Sequence, residues 1–324
     1  TAFNLSVSWA TGTRMAHPWL LLLLPVSGLL IAGLYRLTKM ENENTNAIID
    51  SIHFGDKVPL MLVPAIFIST TITHLFGGSA GREGAALQIG GSLGCYIGRA
   101  FRLDDKDMRL ATLCGMSAVF AALFGTPLTA TLFALEVISV GVIYYSALVP
   151  CIVASLFALE MANIFGIAPT HFDVVIEPIS ELMLLKVSAL AIVCSLMSTV
   201  FCLSMHKTEH LFAKLIKNPY LRIAAGGALV VLITAILGTG DYNGAGMNII
   251  KRAIEEGQAK PDAFFWKLIL TAITIGCGFK GGEVVPTFFI GATLGCVLGS
   301  LLGIPTGFAA ALGLICVFCG AVNC

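Results

Sequence analysis

Apolar residues in this chain come in long runs, among them Trp19 to Ala32, Val58 to Ile72 and Leu182 to Leu203, with short polar stretches between them. The alternation that marks a half-buried strand is missing from those runs. In water such runs would need burial on every side, whereas in a bilayer a helix satisfies its own backbone and shows its side chains to lipid. Composition agrees: 57% of the 324 residues are hydrophobic and 12% charged, about half the charged share of a soluble domain, and the mean hydropathy is +0.90. Nineteen basic and nineteen acidic residues cancel, so there is no basic surface for nucleic acid. The expectation is an all-α, polytopic integral membrane protein, multi-pass and placed in the cell (plasma) membrane, with the lipid bilayer as its surroundings.

At ~20 residues per span the runs would supply about ten spans, but several are shorter. Breaks fall at Gly77-Gly78, Gly125-Thr126-Pro127, Gly276 to Gly282 and Gly303-Ile304-Pro305. A broken span frees backbone N–H and C=O groups, which lipid cannot satisfy, so it is tolerated where it lines a cavity or lies inside protein. Such breaks point to transport. Two polar segments, Thr38 to Asp56 and Gly166 to Glu181, read as loops. The second divides a single transmembrane domain, 1–324, into a first repeat over 1–165, a linker over 166–181 and a second repeat over 182–324. An offset of 201 positions, Gly81 onto Gly282, also superposes Ile89-Gly90 on Ile290-Gly291, Leu93-Gly94-Cys95 on Leu294-Gly295-Cys296 and Gly98 on Gly299. A weaker echo sets Ala121 to Thr126 against Cys319 to Cys324. The chain begins at Thr1 without a signal segment and stops straight after an apolar run, and it reads as a fragment whose second half has lost its last elements.

Repeats of this kind often place their site where they meet, at helix starts that carry partial positive charge. Two starts stand out, Gly81-Arg82-Glu83-Gly84 and Gly281-Gly282-Glu283-Val284-Val285-Pro286. Converging, they would hold an anion without a buried cation. Glu83 is an ionisable residue between glycines among apolar runs, a placement that is costly unless it functions. The plain alternative is a carboxylate paired with Arg82.

The stretch Gly81-Arg82-Glu83-Gly84-Ala85-Ala86-Leu87-Gln88-Ile89-Gly90-Gly91 closely resembles a helix start of the CLC family of chloride channels and anion–proton antiporters. Gly282-Glu283-Val284-Val285-Pro286 resembles that family's second anion-binding motif, and Phe124-Gly125-Thr126-Pro127-Leu128 the start of its subunit-interface helix. The resemblance implies a CLC-like inverted repeat of broken and tilted helices, and a homodimer in which each subunit has its own anion pathway. It makes Glu83 the gating and proton-accepting residue, and Gly81, Arg82, Gly84, Gly282, Val284 and Val285 the anion-binding set. Three positions depart from the family pattern. Ala85 replaces a proline. The first anion-binding motif, about forty residues upstream, reads Glu41-Asn42-Glu43-Asn44-Thr45-Asn46, where Asn44 is the candidate contact. The inner pair of glutamates is Glu136-Val137, and valine cannot relay a proton. The implied function is chloride transport, as channel or transporter gated by voltage or pH through the glutamate, with fluoride–proton antiport for fluoride export as the alternative and chloride placed first. A non-transporting membrane scaffold or sensor is the alternative of another class. The dimer contact is expected near Pro127 to Ser139 and near the end of the chain.

Other polar residues carry less. Seven cysteines (Cys114, Cys151, Cys194, Cys202, Cys277, Cys296, Cys316) lie in apolar runs and read as small hydrophobes. His74 stands nearest the Gly81 helix and reads as packed or interfacial; His206 and His210 are four apart but lack a third ligand. His17, His53 and His171 fall in loops or at span edges. Glu283 puts a negative charge at the second helix start, and is expected to pair with Lys280 or to face water. No nucleophile elbow, phosphate loop or zinc helix is present. No enzyme, cofactor or metal site is expected.

Overall fold

The computed structural model describes residues 2–40, 59–136, 144–176 and 180–322. Among them every regular element is a helix, and one isolated bridge joins two of the connecting segments. In order the helices are α1 (Ala2–Ala16), α2 (Leu24–Leu37), α3 (Leu62–Leu75), α4 (Glu83–Ala100), α5 (Asp105–Phe124), α6 (Pro127–Glu136), α7 (Tyr145–Ile164), α8 (Glu181–Leu215), α9 (Pro219–Leu237), α10 (Met247–Lys251), α11 (Ala263–Gly276), α12 (Val284–Leu302) and α13 (Thr306–Val322). A 3-10 segment, Pro18–Leu23, leads into α2, and a π segment, Arg252–Glu256, follows α10.

Six segments are long and apolar enough to cross a membrane: Pro18–Leu37, α5, α7, α8, α9 and α12. Three further apolar helices, α3, α11 and α13, are shorter. The mixture of full and part-length helices is what the shortness of several apolar runs leads one to expect. All four expected breaks separate helices. α3 ends at Leu75 and α4 begins at Glu83; α5 ends at Phe124 and α6 begins at Pro127; α11 ends at Gly276 and α12 begins at Val284; α12 ends at Leu302 and α13 begins at Thr306. Local signals explain several ends. Asp104 accepts from the Asp107 N–H to cap α5, Asn218 from the Tyr220 N–H ahead of Pro219 in α9, and Ser180 from the Met183 N–H in α8. The 35 residues of α8 extend about 52 Å at 1.5 Å per residue, more than the ~30 Å of bilayer hydrocarbon.

The repeat offset reappears in the helix boundaries. α3 runs from 62 to 75 and α11 from 263 to 276, α4 begins at 83 and α12 at 284, and the breaks before these last two contain left-handed glycines at 77 and 278. α4 packs along α5, and α12 along α13. Both pairs touch through backbone: a Cβ on Gly90 would collide with the Gly115 carbonyl and one on Gly94 with that of Ala111, while Gly291 meets Gly313 and Gly295 meets Ala309. Gly90 to Gly291 is 201 positions and Gly115 to Gly313 is 198, so the second pair turns back three residues sooner. That shift is the physical content of the weaker echo.

Phe120 and Phe124 of α5, Phe133 of α6, Phe288 of α12 and Phe318 of α13 close a ring of contacts, with centroids 4.4 to 6.0 Å apart. This ring ties the two helix pairs together. Nine described cysteines are free thiols; of the seven expected to be small buried hydrophobes, Cys151, Cys194, Cys277 and Cys296 are buried, Cys114 and Cys316 half-buried, and Cys202 is exposed, so the expected burial fails for Cys202.

Candidate functional site

The two glycine-rich helix starts meet. Gly81 N–H donates to the Gly282 carbonyl at 2.7 Å and Gly282 N–H to the Gly81 carbonyl at 2.6 Å, an antiparallel bridge between equivalent residues of the two repeats. A reciprocal exchange between equivalents defines a local two-fold relation, with the chain running in opposite directions on either side. Glycine is required by contact here: a Cβ on Gly282 would stand 2.5 Å from the Gly84 nitrogen, and one on Gly84 would stand 3.0 Å from the Gly282 Cα. Sequence reading assigned Gly81, Gly84 and Gly282 to one site, and the structure brings all three together. Val284 and Val285 are buried in the first turn of α12.

Glu83 opens α4 and is 3% exposed. Its Oε2 accepts the Arg82 backbone N–H at 2.9 Å, and Oε1 lies 3.5 Å from Arg82 Nε. The carboxylate thus folds back over its own helix start, where the unpaired N–H groups and the positive end of the helix lie. Glu83 is paired with Arg82, as the plain alternative expects. Glu283 is the residue before α12, but it faces outward and is exposed. The expected pairing with Lys280 is corrected: the Lys280 ammonium lies over the Tyr35 ring, 4.3 Å from its centroid. Asn44 and Val137 lie outside the described residues.

Sequence reading missed the cavity that leads to Glu83. It measures about 450 Å³ and is lined by α1, by the loop and helix over 240–249, and by His74, Arg82 and Glu83. Ser8 and Asn248 at its walls are exposed, whereas His74 and Glu83 are buried. His74 is buried as expected of a packed histidine, with Nδ1 2.9 Å from the Thr70 carbonyl, but it also lines this cavity and its Nε2 has no hydrogen-bond partner among the described residues.

The cavity wall is held from behind by Lys267, which is fully buried and donates to the carbonyls of Tyr242 at 3.1 Å and Gly244 at 2.5 Å. Ser79 Oγ donates to the same Tyr242 carbonyl at 2.9 Å and meets Thr271 Oγ1 at 3.0 Å, while Gly244 N–H donates to the Gly78 carbonyl at 3.0 Å. The wall is thereby tied to the segment that delivers Glu83. Lys267 is the only charge between Ala263 and Gly276; a lone charge in an apolar run was the signal that could have found it. At the rim, the Lys260 ammonium 2.8 Å from Asp241 holds that carboxyl below the usual carboxylate range. His206 and His210 sit exposed on α8 with ring centroids 4.7 Å apart, and among the described residues no group of three His, Cys, Asp or Glu could hold a metal ion.

Comparisons with known proteins point to one group. The family model described as voltage gated chloride channel matches residues 27–324. A "Chloride/fluoride channel protein" of Pseudomonas syringae pv. tomato is 40% identical over 99% of this chain and 73% of its own length. The crystal structure of a CLC-type fluoride/proton antiporter, 32% identical, superposes with a TM-score of 0.95 over 99% of this chain and 82% of its own. That of a slow cyanobacterial Cl-/H+ antiporter, 20% identical, shares the fold at a TM-score of 0.73 over 99% of this chain and 84% of its own.

Proposed function

The chain belongs to the voltage-gated chloride channel family, and from that premise we propose that it is a multi-pass membrane pathway for small halide anions gated by Glu83. The observation that carries this reading is the buried Glu83 carboxylate at the junction of two repeat-related helix starts, on the floor of an open cavity. A carboxylate there is a tethered anion. It occupies the positive helix end that a free anion would take, and it leaves when protonated or displaced. Gly81, Gly84 and Gly282, which carry no Cβ, let the two helix starts close on one another at the anion site, Val284 and Val285 wall the path with apolar surface, and Arg82 steadies the carboxylate in its folded-back position. Asn44, outside the described residues, is kept as a proposed contact.

Fluoride exchanged against protons is proposed ahead of chloride, reversing the order read from sequence, on two supports. The fluoride/proton antiporter is 32% identical with a TM-score of 0.95, and valine at 137 removes the second inner carboxylate expected of a chloride exchanger. The repeats are proposed to be inverted across the membrane about the Gly81–Gly282 bridge, as 1–165 and 182–324 with 166–181 between them. The working unit is proposed to be a homodimer in the cell membrane.

Liposomes loaded with fluoride or chloride and carrying the purified protein test the reading. Fluoride efflux faster than chloride efflux, with protons moving the other way, is expected. Faster chloride efflux would return chloride to first place. No efflux of either anion would overturn the pathway and leave a membrane scaffold or sensor.

A further inference from the structure

Two cations beside the outer cavity have no carboxylate of their own. Arg14, in the last turn of α1, lays its guanidinium against Gly244, where a Cβ would stand 2.9 Å from Nη2 and 3.0 Å from Cζ. Gly244 also has φ +62°, so any other residue there would be strained as well as crowded. Lys267 approaches the same peptide from the far side through its bond to the Gly244 carbonyl, with the Phe289 ring centroid 5.2 Å from its ammonium. Among the described residues, no Asp or Glu lies within ion-pair distance of either cation.

The carboxylates lining the cavity are already matched, Glu83 with Arg82 and Asp241 with Lys260. Carbonyl dipoles, those of Tyr242 and Gly244 for Lys267 and that of His74 for Arg14, offset part of the cost of these buried side chains, but a guanidinium without a counter-charge leaves positive potential beside it. The open space that potential reaches is the cavity, which Arg14 and Arg82 both line. His74 adds a second sign of an occupant. Its Nδ1 is bonded to a carbonyl and so carries the ring proton, which leaves Nε2 as a buried acceptor with no donor among the described residues. A water of the anion's hydration shell supplies such a donor.

We propose that the outer cavity is an anion-docking site, in which the Arg14 guanidinium, backed by Lys267, holds a partly hydrated small inorganic anion before it reaches Glu83. The site rests on the pathway reading above and adds a step to it. Cations in a narrow mouth raise the local anion concentration, so the site sets the concentration at which flux half-saturates.

Fluoride flux into liposomes, measured against fluoride concentration, tests this on three variants. R14Q is expected to raise the half-saturating concentration about three- to tenfold, with the lost rate recovered at high fluoride. R14K, which keeps the charge but not the guanidinium's shape, is expected to raise that half-saturating concentration less than R14Q does. T11D places a carboxylate one turn before Arg14 on a cavity-lining position, and is expected to act in the same direction as R14Q even if R14Q fails to fold. An unchanged half-saturating concentration in R14Q or T11D, or an equal fractional loss at every concentration in R14Q and R14K, would overturn the docking site while leaving the pathway intact. A parent without anion flux would overturn the pathway reading itself, and the docking site with it.

Discussion

Glu83 and Lys267 are both buried charges, yet only one was legible in the sequence. Glu83 stands between glycines in a recognisable helix start. Lys267 acts on Tyr242 and Gly244, more than twenty positions upstream, and that partnership exists only once the loop over 239–246 folds against α11. The same distance hid Arg14, whose partner is again Gly244. Replacing Lys267 by Met keeps a long apolar stem but strands the buried Gly244 carbonyl and leaves that of Tyr242 to Ser79 alone, which costs about 1–3 kcal/mol. The melting temperature of the variant in detergent is expected to fall; an unchanged value would mean the carbonyls find other donors. The Asp241–Lys260 pair is exposed and weaker. Because the carboxyl is held below its ordinary range in the folded chain, its contribution is present above that range and fades as pH falls through it. Asp241→Asn should therefore lower the melting temperature slightly at pH 7 and have no effect well below pH ~4. A difference that persists in acid would show that the pair's charge is not what matters.

At the scale of elements, glycine and proline marked where helices break, and all four marked breaks fall between helices. What periodicity could not supply was how much of a membrane each piece crosses. α3, α11 and α13 are apolar but short, and only packing against neighbours distinguishes such a helix from half of a longer one. The 201-position match located the paired helix starts, while the three-residue shortening of the second pair, carried in the sequence by the weaker echo, gets its physical reason from the Gly90–Gly115 and Gly291–Gly313 contacts. These contacts give a direct test. A methyl group at position 90 or 291 must push two helix backbones apart, a cost of about 1–3 kcal/mol, whereas Gly33 of α2 has open space around a Cβ and gains helix propensity on mutation. Gly90→Ala and Gly291→Ala are expected to lower the melting temperature in detergent and Gly33→Ala to preserve or raise it. Equal behaviour of the three would deny that close glycine packing holds the pairs.

Viewed as a whole molecule, two repeat-related helix pairs meet at a glycine bridge, and the buried Glu83 sits beside it. Residues from α6 and the end of α13 supply the proposed dimer contact, and cross-linking of the full-length protein in lipid is expected to trap a dimer; monomer alone would contradict it. The family was legible from three motifs. The outer cavity was not, because its walls come from α1 and from residues 240–249, brought together across most of the chain. The central claim is that one side chain closes this pathway, and anion efflux from liposomes carrying Glu83→Gln, measured from acid to neutral pH beside the parent, tests it most directly. Glutamine copies the protonated carboxyl at nearly equal volume. The variant is expected to pass anions, to lose most of the parent's pH dependence and to move no protons against them, whereas a variant that keeps the parent's pH dependence and any proton movement would place the gate elsewhere.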